Sequence, residues 1–320
     1  MATPPVLPDG STIGQYRTIS MVGQGGFGTV YKAQNQNMPD WIRAIKELHF
    51  SDASALKRFQ QEAQLLMAIN HKNIPRIYDY IVEKNRHYII MDWIEGHTLS
   101  RVAYLRQLTE NELVAVGLEC TSALMYLHTR PQPIFHRDIK PENLMFVWGA
   151  AFHGWLMDLG IAKVAGTLQQ KRSVVGTRNY SSPQQQRGEE PEAGDDIFGL
   201  GASWYEVMAP FNLPWDKRVI PFPYERLDGP AEVAATLDRY PQFSQTFRNI
   251  VLKCLAYNRS DRFSSAADLY SALESLSAPL DPLAFTPPPP IVPPPAGPSA
   301  SFDTPVNKQQ GWNPLRPPTK

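Results

Sequence analysis

Four polar residues in the middle of the chain stand at spacings that could do chemistry. In FHRDIKPENLM, residues 135–145, Asp138, Lys140 and Asn143 fall within six positions, and LMDLG places Asp158 shortly after. Together they supply a base candidate, a cation and two oxygen ligands, in that order. Carboxylate and amide oxygens are the donors that a hard divalent cation takes. Upstream, AIKEL carries Lys46 and FQQEAQLL carries Glu62. A lysine that meets phosphate oxygens needs an acidic partner, and at 4 Å such a pair is worth roughly 4 kcal/mol in an effective dielectric of about 20. For these two residues alone, a pair of exposed surface charges is the plain alternative.

Such groups need elements to hold them. The stretch ISMVGQGGFGTV, residues 19–30, sets Gly23, Gly25 and Gly28 inside a strand-like run. The spacing G-x-G-x-x-G serves both dinucleotide sites and covers over triphosphates. In a dinucleotide unit the loop leads into a helix whose N-terminus faces the pyrophosphate. Here it leads into TVYKAQ, whose Val30 and Tyr31 are strand formers, so a hairpin is the better reading. Glycines admit unusual φ values and let backbone amides approach phosphates closely. Further strands are predicted at WIRAIKEL, RIYDYIV and YIIMDW, with one helix over 54–69 that sets Leu56, Phe59, Ala63, Leu66 and Met67 on one side. From residue 99 the pattern turns helical. Thr109 followed by Glu112 is a capping-box pattern before a helix reaching about residue 127, and more helices are predicted near 195–208, 231–237, 243–254 and 265–276. The expected architecture is a small, mostly β half followed by a larger, mostly α half.

Composition narrows the function classes. The 31 basic and 31 acidic residues cancel and form no long basic block, which argues against nucleic acid as a main partner. Cys120 and Cys254 cannot build a disulfide framework and lack metal-ligand spacing, as expected of a reducing, cytoplasmic compartment. Cys120 also lies on the apolar stripe Leu113, Val116, Cys120, Leu124, Leu127, which reads as core. The N-terminus MATPPVLPDG has no signal-peptide pattern, and no run approaches 18 apolar residues, so no membrane span is expected in this chain. The segment after residue 278, with TPPPPIVPPPAGP and NPLRPP, holds 14 of the 30 prolines. Proline fixes φ and lacks a donor, so this segment is expected to be extended polyproline or disordered. A linker or tail is the plain reading; an SH3-like or WW-like partner is the functional one.

The motif order resembles eukaryotic-type (Hanks-type) serine/threonine protein kinases, and AIKEL and HKNIPRIYDY have the texture of bacterial members. The resemblance implies the two-lobed α+β kinase fold. An extension over 1–13 would precede a kinase domain over 14–277, with its β-rich N-lobe at 14–93 and its helical C-lobe at 94–277; the proline-rich tail would follow over 278–320. It implies that Val22, Gly23, Gly25 and Gly28 cover ATP, and that Lys46, anchored by Glu62, meets the α- and β-phosphates. Val30, Ala44 and Met145 would enclose adenine, Met91 would line the back, and Asp92 to Ile94 would form the hinge that reads the base. Asp138 would accept or orient the substrate hydroxyl, Lys140 would steady the transferred group, and Asn143 and Asp158 would hold Mg2+, with Mn2+ as a substitute. KPEN, and GTRNY with Thr177 before Tyr180, are similar to serine/threonine rather than tyrosine kinases. Glu142 matches a position that often receives a basic substrate residue, and is otherwise a solvated surface acid.

The resemblance also implies regulation. Arg137 directly precedes Asp138, and kinases of this pattern commonly neutralise that guanidinium with a phosphorylated activation loop. Ser173 stands at the matching position and Thr167 is a second candidate. Autophosphorylation there would use a transient homodimer. Two departures stand out. Leu159 replaces the family's phenylalanine after Asp158, which leaves an apolar side chain to stack with Leu66, Ile77 and His136. Gln184 replaces a glutamate that pairs with a late arginine, here Arg262. Gln184 can accept a bond from Arg262 but cannot neutralise it, so Glu189 or Glu190 would have to compensate and Gln184→Glu is expected to raise the melting temperature. The rival readings are a pseudokinase that binds nucleotide as a docking module and, less in keeping with the strand after the glycines, a dinucleotide-dependent oxidoreductase. Many bacterial relatives continue into a linker, a membrane span and a sensor, so membrane attachment enters only if the chain is truncated at its tail.

Overall fold

The computed structural model describes residues 4–25, 28–50, 53–147, 152–159, 178–210, 213, 218–220 and 229–277. Strands β1 (Thr12–Ile13), β2 (Tyr16–Gly25), β3 (Gly28–Asn35), β4 (Ile42–Leu48), β5 (Ile77–Glu83) and β6 (Arg86–Asp92) form one antiparallel sheet in the order β1-β2-β3-β4-β6-β5. Successive side chains alternate between its faces. Tyr31, Ala33, Ile45, Tyr88 and Ile90 therefore share one face, where they pack with Ile13 and Tyr16 in an outer core. The opposite face carries the residues of the candidate site.

Helix α1 (Ala53–Met67) packs by Phe59 and Leu66, which join Leu48, Ile77 and Ile89 in the main core. Met67 lines a small apolar cleft together with Phe59, Ala63, Leu66, Ile77 and Ile89, as expected of that side, while remaining 40% exposed at its edge. Neighbouring residues on a helix point about 100° apart, so Leu66 sits at the centre of the buried face and Met67 at its rim.

The larger half contains α2 (Leu99–Leu105), α3 (Glu110–His128), α4 (Pro183–Gln186), α5 (Ala193–Met208), α6 (Gly229–Leu237), α7 (Gln245–Cys254) and α8 (Ala266–Glu274). The capping box of α3 is present in both halves: Glu112 N–H donates to Thr109 Oγ1 at 3.3 Å, and Thr109 N–H donates to Glu112 Oε2 at 2.7 Å. Leu113, Val116, Cys120, Leu124 and Leu127 are all buried, as their spacing predicts. Helix α5 is buried from Asp195 to Met208, as a helix apolar nearly all round must be. It crosses α3 at Gly117, where an added Cβ would lie 2.6 Å from the Trp204 ring. A second sheet, β7 (His97–Thr98), β8 (Leu144–Val147) and β9 (His153–Leu156), was not anticipated, because strands of two to four residues are too short to show a period. Among the described residues no helix is long and apolar enough to cross a membrane.

Candidate active site

The glycine stretch forms the β2–β3 hairpin, with Gly25 paired to Gly28 and residues 26–27 outside the described set. A strand follows the glycines, as Val30 and Tyr31 predict, so no helix N-terminus stands ready for a pyrophosphate. Gly28 is the one of the three whose surroundings demand glycine: its φ is +154°, and a Cβ there would meet the Glu47 carbonyl oxygen at 2.1 Å. At Gly23 and Gly25 a Cβ would meet nothing within 4 Å, and Val22 beside them is exposed. The strand register sets the rest of this wall. Val30 lies opposite Lys46, and Ala44 lies opposite Met91, so all four share the sheet face turned from the outer core.

Lys46 is 6% exposed, and its ammonium is ion-paired with Asp158. Glu62 lies on α1, but its side chain is outside the described residues. The hinge residue Asp92 turns its carboxylate toward β5, accepting from Tyr78 Oη at 2.7 Å and Arg76 N–H at 2.9 Å. Its own N–H donates to the Arg76 carbonyl, which leaves its carbonyl as the group able to read a base. Ile94 is buried just beyond, and Met145 is half-buried on β8 directly after Asn143.

The loop over 136–143 gathers the remaining polar groups. Asp138 Oδ2 lies 3.3 Å from Lys140 Nζ and 3.4 Å from Asn143 Nδ2. Asn143 Nδ2 also donates to the Asp138 carbonyl at 2.8 Å, which leaves Asn143 Oδ1 as an acceptor. This loop is tied to the Asp158 segment by two bonds of 2.8 Å: Met157 N–H donates to the Asn143 carbonyl, and His136 Nε2 donates to the Met157 carbonyl. His136 Nδ1 accepts from Asp138 N–H at 3.3 Å, so one neutral tautomer satisfies both contacts. Asn143 Oδ1 and the Asp158 carboxylate are hard oxygen donors, a set that fits a divalent cation. Leu159, Leu66, Ile77 and His136 are all buried, and the three apolar ones share one core. Gly160, Thr167 and Ser173 lie outside the described residues.

Two of the non-glycine residues with positive φ flank this site, Arg137 at 60° and Asp158 at 56°. Such backbone is strained and persists only where its surroundings hold it. For Arg137 the holding group is Asp196, which sequence reasoning missed. Its carboxylate accepts from His136 N–H at 2.8 Å, Arg137 N–H at 2.7 Å and His128 Nε2 at 2.8 Å. Burial alone would raise this carboxyl, yet the His128 bond, the His128 and His136 rings and the Arg137 amide hold it below the ordinary range. In DDIFGLG it reads as an ordinary acid in a helix's first turn, and nothing local marks its partners. Gln185 Nε2 adds a bond to the Arg137 carbonyl at 2.8 Å. The Arg137 guanidinium is pulled below its usual value by burial despite Asp195, Asp196 and Glu190, and its buried Nε has no hydrogen-bond partner among the described residues.

Gln184 accepts from Arg262 at 2.7 Å, as expected, and donates through Nε2 to the Tyr257 carbonyl at 2.8 Å, which was not. The acid beside Arg262 is Asp195 at 4.0 Å rather than Glu189 or Glu190. Glu189 pairs with Arg187 and Arg259, and Glu190 offers Arg259 its carbonyl oxygen. Glu142 is exposed, whereas Glu206 is buried and accepts from the Tyr180 hydroxyl.

The protein kinase domain family matches residues 16–273. Serine/threonine-protein kinase PrkC of Bacillus subtilis is 30% identical over 269 residues, covering 82% of this chain and 40% of its own length. Serine/threonine-protein kinase PknB of Mycobacterium tuberculosis is 31% identical over 289 residues, covering 85% of this chain and 44% of its own. The chain thus spans about two fifths of the length of the curated relatives it matches. Among solved structures, the PknI kinase domain of M. tuberculosis superposes with a TM-score of 0.62 at 20% identity, covering 85% of this chain and all of that one. That last likeness is one of fold.

Proposed function

The chain belongs to the protein kinase family, and from that premise we propose that it transfers the γ-phosphoryl group of ATP to serine or threonine hydroxyls of proteins. The observation that carries this reading is the loop in which Lys140 and Asn143 both reach Asp138, tied through His136 and Met157 to Asp158 and from there to Lys46. The family's reaction uses ATP and a divalent metal. Mg2+, with Mn2+ able to replace it, would be held by Asn143 and Asp158 and would neutralise phosphate charge. Asp138 orients the substrate hydroxyl and takes its proton as the oxygen bonds to the γ-phosphorus. Lys140 offsets the charge of the transferred group, and ADP leaves with the electrons of the broken bond. Lys46 supplies a second cation to the phosphates, with Glu62 as its further anchor.

The kinase domain is read as residues 14–277. Val22, Gly23, Gly25 and Gly28 cover the phosphates, while Val30, Ala44, Met91, Met145 and the hinge from Asp92 to Ile94 enclose the base. Autophosphorylation at Ser173, with Thr167 second, is supported by the buried Nε of Arg137, which has no hydrogen-bond partner among the described residues and for which a phosphate is a fitting partner. A transient homodimer would present one loop to the other active site. Two free, buried cysteines suit a cytoplasmic setting.

The test is transfer of label from ATP to a generic basic protein, with Asp138→Asn and Asp158→Ala as controls. Each substitution should cut transfer by about 10²-fold or more. Transfer unchanged in both would defeat the mechanism.

A further inference from the structure

The outer face of the six-stranded sheet holds a buried ion pair that the site described above does not use. Glu47 is 1% exposed, and its carboxylate accepts from Arg86 Nε at 2.6 Å and from Arg86 Nη2 at 2.7 Å. Tyr31 Oη donates to the same carboxylate at 3.4 Å, and His49 Nε2 stands 3.9 Å from it. Burial alone would lower the Arg86 guanidinium, yet the Glu47 bond and charge hold it above its ordinary value.

The N-terminal segment closes over this pair. Leu7 N–H donates to Tyr31 Oη at 3.0 Å, the Pro5 carbonyl accepts from Arg86 Nη2 at 2.7 Å, and the Leu7 side chain packs on the outer core. Thr18 pins the residues that follow. Its N–H donates to the Ser11 carbonyl at 2.9 Å, its carbonyl accepts from Gly10 N–H at 2.8 Å, and its Oγ1 donates to the Pro8 carbonyl at 3.1 Å. Residues 5–11 precede the span 16–273 that the kinase family matches, yet they are laced to the sheet.

Strand geometry gives this arrangement a consequence. Side chains alternate along β4, so Glu47 on the outer face and Lys46 on the inner one are successive residues of one strand. Gly28 comes so close to the Glu47 carbonyl that a Cβ would meet it at 2.1 Å. One residue thus backs both the cation and the glycine wall of the nucleotide site. Compared with a well-packed apolar pair of similar volume, a buried ion pair adds little or no stability. What the two-pronged guanidinium–carboxylate contact adds is direction, because both bonds form in only one orientation.

We propose that Glu47 and Arg86, capped by residues 5–7, are positioning residues that set β4 so that Lys46 and Gly28 meet the nucleotide phosphates. This rests on the reading of Lys46 and Gly28 as ATP contacts, and it gives the N-terminal segment a part in nucleotide affinity.

Equilibrium titration of the full chain with a fluorescent ATP analogue and Mg2+, beside thermal denaturation, tests this without requiring phosphoryl transfer. Glu47→Leu combined with Arg86→Met leaves no buried charge alone, so it should fold with a Tm close to wild type. Its Kd for the analogue, measured well below Tm, should rise about tenfold. Arg86→Lys keeps the charge but gives up the fork, and should lie between the two. Leu7→Pro removes the N–H given to Tyr31, should raise Kd about threefold, and keeps the test open if the double variant does not fold. A wild-type Kd in a folded double variant or in Leu7→Pro overturns the proposal. So does a Kd that shifts only at temperatures where the variant unfolds, since the pair is then structural alone. A wild type that binds the analogue but transfers no phosphoryl group defeats the proposed reaction alone, and the variants' Kd values still decide this proposal.

Discussion

The carboxylate of Asp196 accepts the backbone N–H of Arg137 at 2.7 Å, across 59 positions of sequence. Arg137 stands at φ 60°, one residue before Asp138, so a buried acid on α5 holds the strained turn that aims the proposed base. The same carboxylate takes the His136 amide, so two successive donors depend on one side chain.

Asp196→Asn should therefore impair turnover without touching substrate. An amide of the same size brings its NH2 group against one of the two backbone donors, leaving a buried group unsatisfied at about 1–3 kcal/mol. A turn displaced by about 1 Å can cost about 10²-fold in rate. Steady-state phosphorylation and thermal denaturation should show kcat falling by about that factor and a lower Tm. A folded Asp196→Asn protein with normal kcat would refute the positioning role.

Glycines of one loop should respond differently to alanine. At Gly28 the new methyl group would collide with the Glu47 carbonyl at 2.1 Å, on backbone that side chains rarely adopt, whereas at Gly23 it meets open space. Gly28→Ala is expected to lose about 1–3 kcal/mol, and Gly23→Ala to stay within about 0.5 kcal/mol of wild type. Chemical denaturation curves would rank the two, and equal losses would contradict the steric account.

The structure reverses the expected effect of Gln184→Glu. The glutamine side chain is used at both ends, accepting from Arg262 and donating to the Tyr257 carbonyl. Arg262 already bonds the carbonyls of Ala256, Gly194 and Tyr257 and stands 4.0 Å from Asp195. A carboxylate would lose the donor and set an oxygen against an oxygen, for a charge that has Asp195 nearby. We expect a Tm below wild type, with about 1 kcal/mol of stability lost; a clear rise would restore the unneutralised-arginine argument.

Stability should fall between mildly acidic and neutral pH because of Glu206. Burial pushes its carboxyl up to about 7, helped by Glu142 and opposed by the Tyr180 hydroxyl and Arg218. The folded chain then keeps a proton that the unfolded chain, near 4.5, has released. Stability from this group is full below about pH 4.5, declines as pH rises, and is lost above about pH 7, on the order of 3 kcal/mol in all. Melting curves from pH 5 to 7 should slope downward for wild type and more weakly for Glu206→Gln. Parallel slopes would remove Glu206 as the cause.

Some of this architecture was legible in the chain because its signals are local. Val30 and Tyr31 after the glycines announced a strand, and β3 is there. Thr109 and Glu112 announced a cap, and both bonds form. The β7–β9 sheet escaped notice because its strands span less than one readable period, and its partners are up to 49 positions apart in pairing His97 with Phe146.

By itself the sequence determined the residue types, their order and the local elements that carry them, since turn chemistry, capping and periodicity act over a few positions. It thereby set Lys46 on a strand, Asp138, Lys140 and Asn143 in one loop, and Asp158 after them. Only the tertiary structure decided which of these meet: Lys46 with Asp158, Asp196 with the backbone of His136 and Arg137, Gln184 with Tyr257, and Arg43 between Trp41 and Tyr78. Those pairings are set by chain closure and burial. An acid becomes a positioning group only when packing removes water from it and leaves a distant amide as its partner.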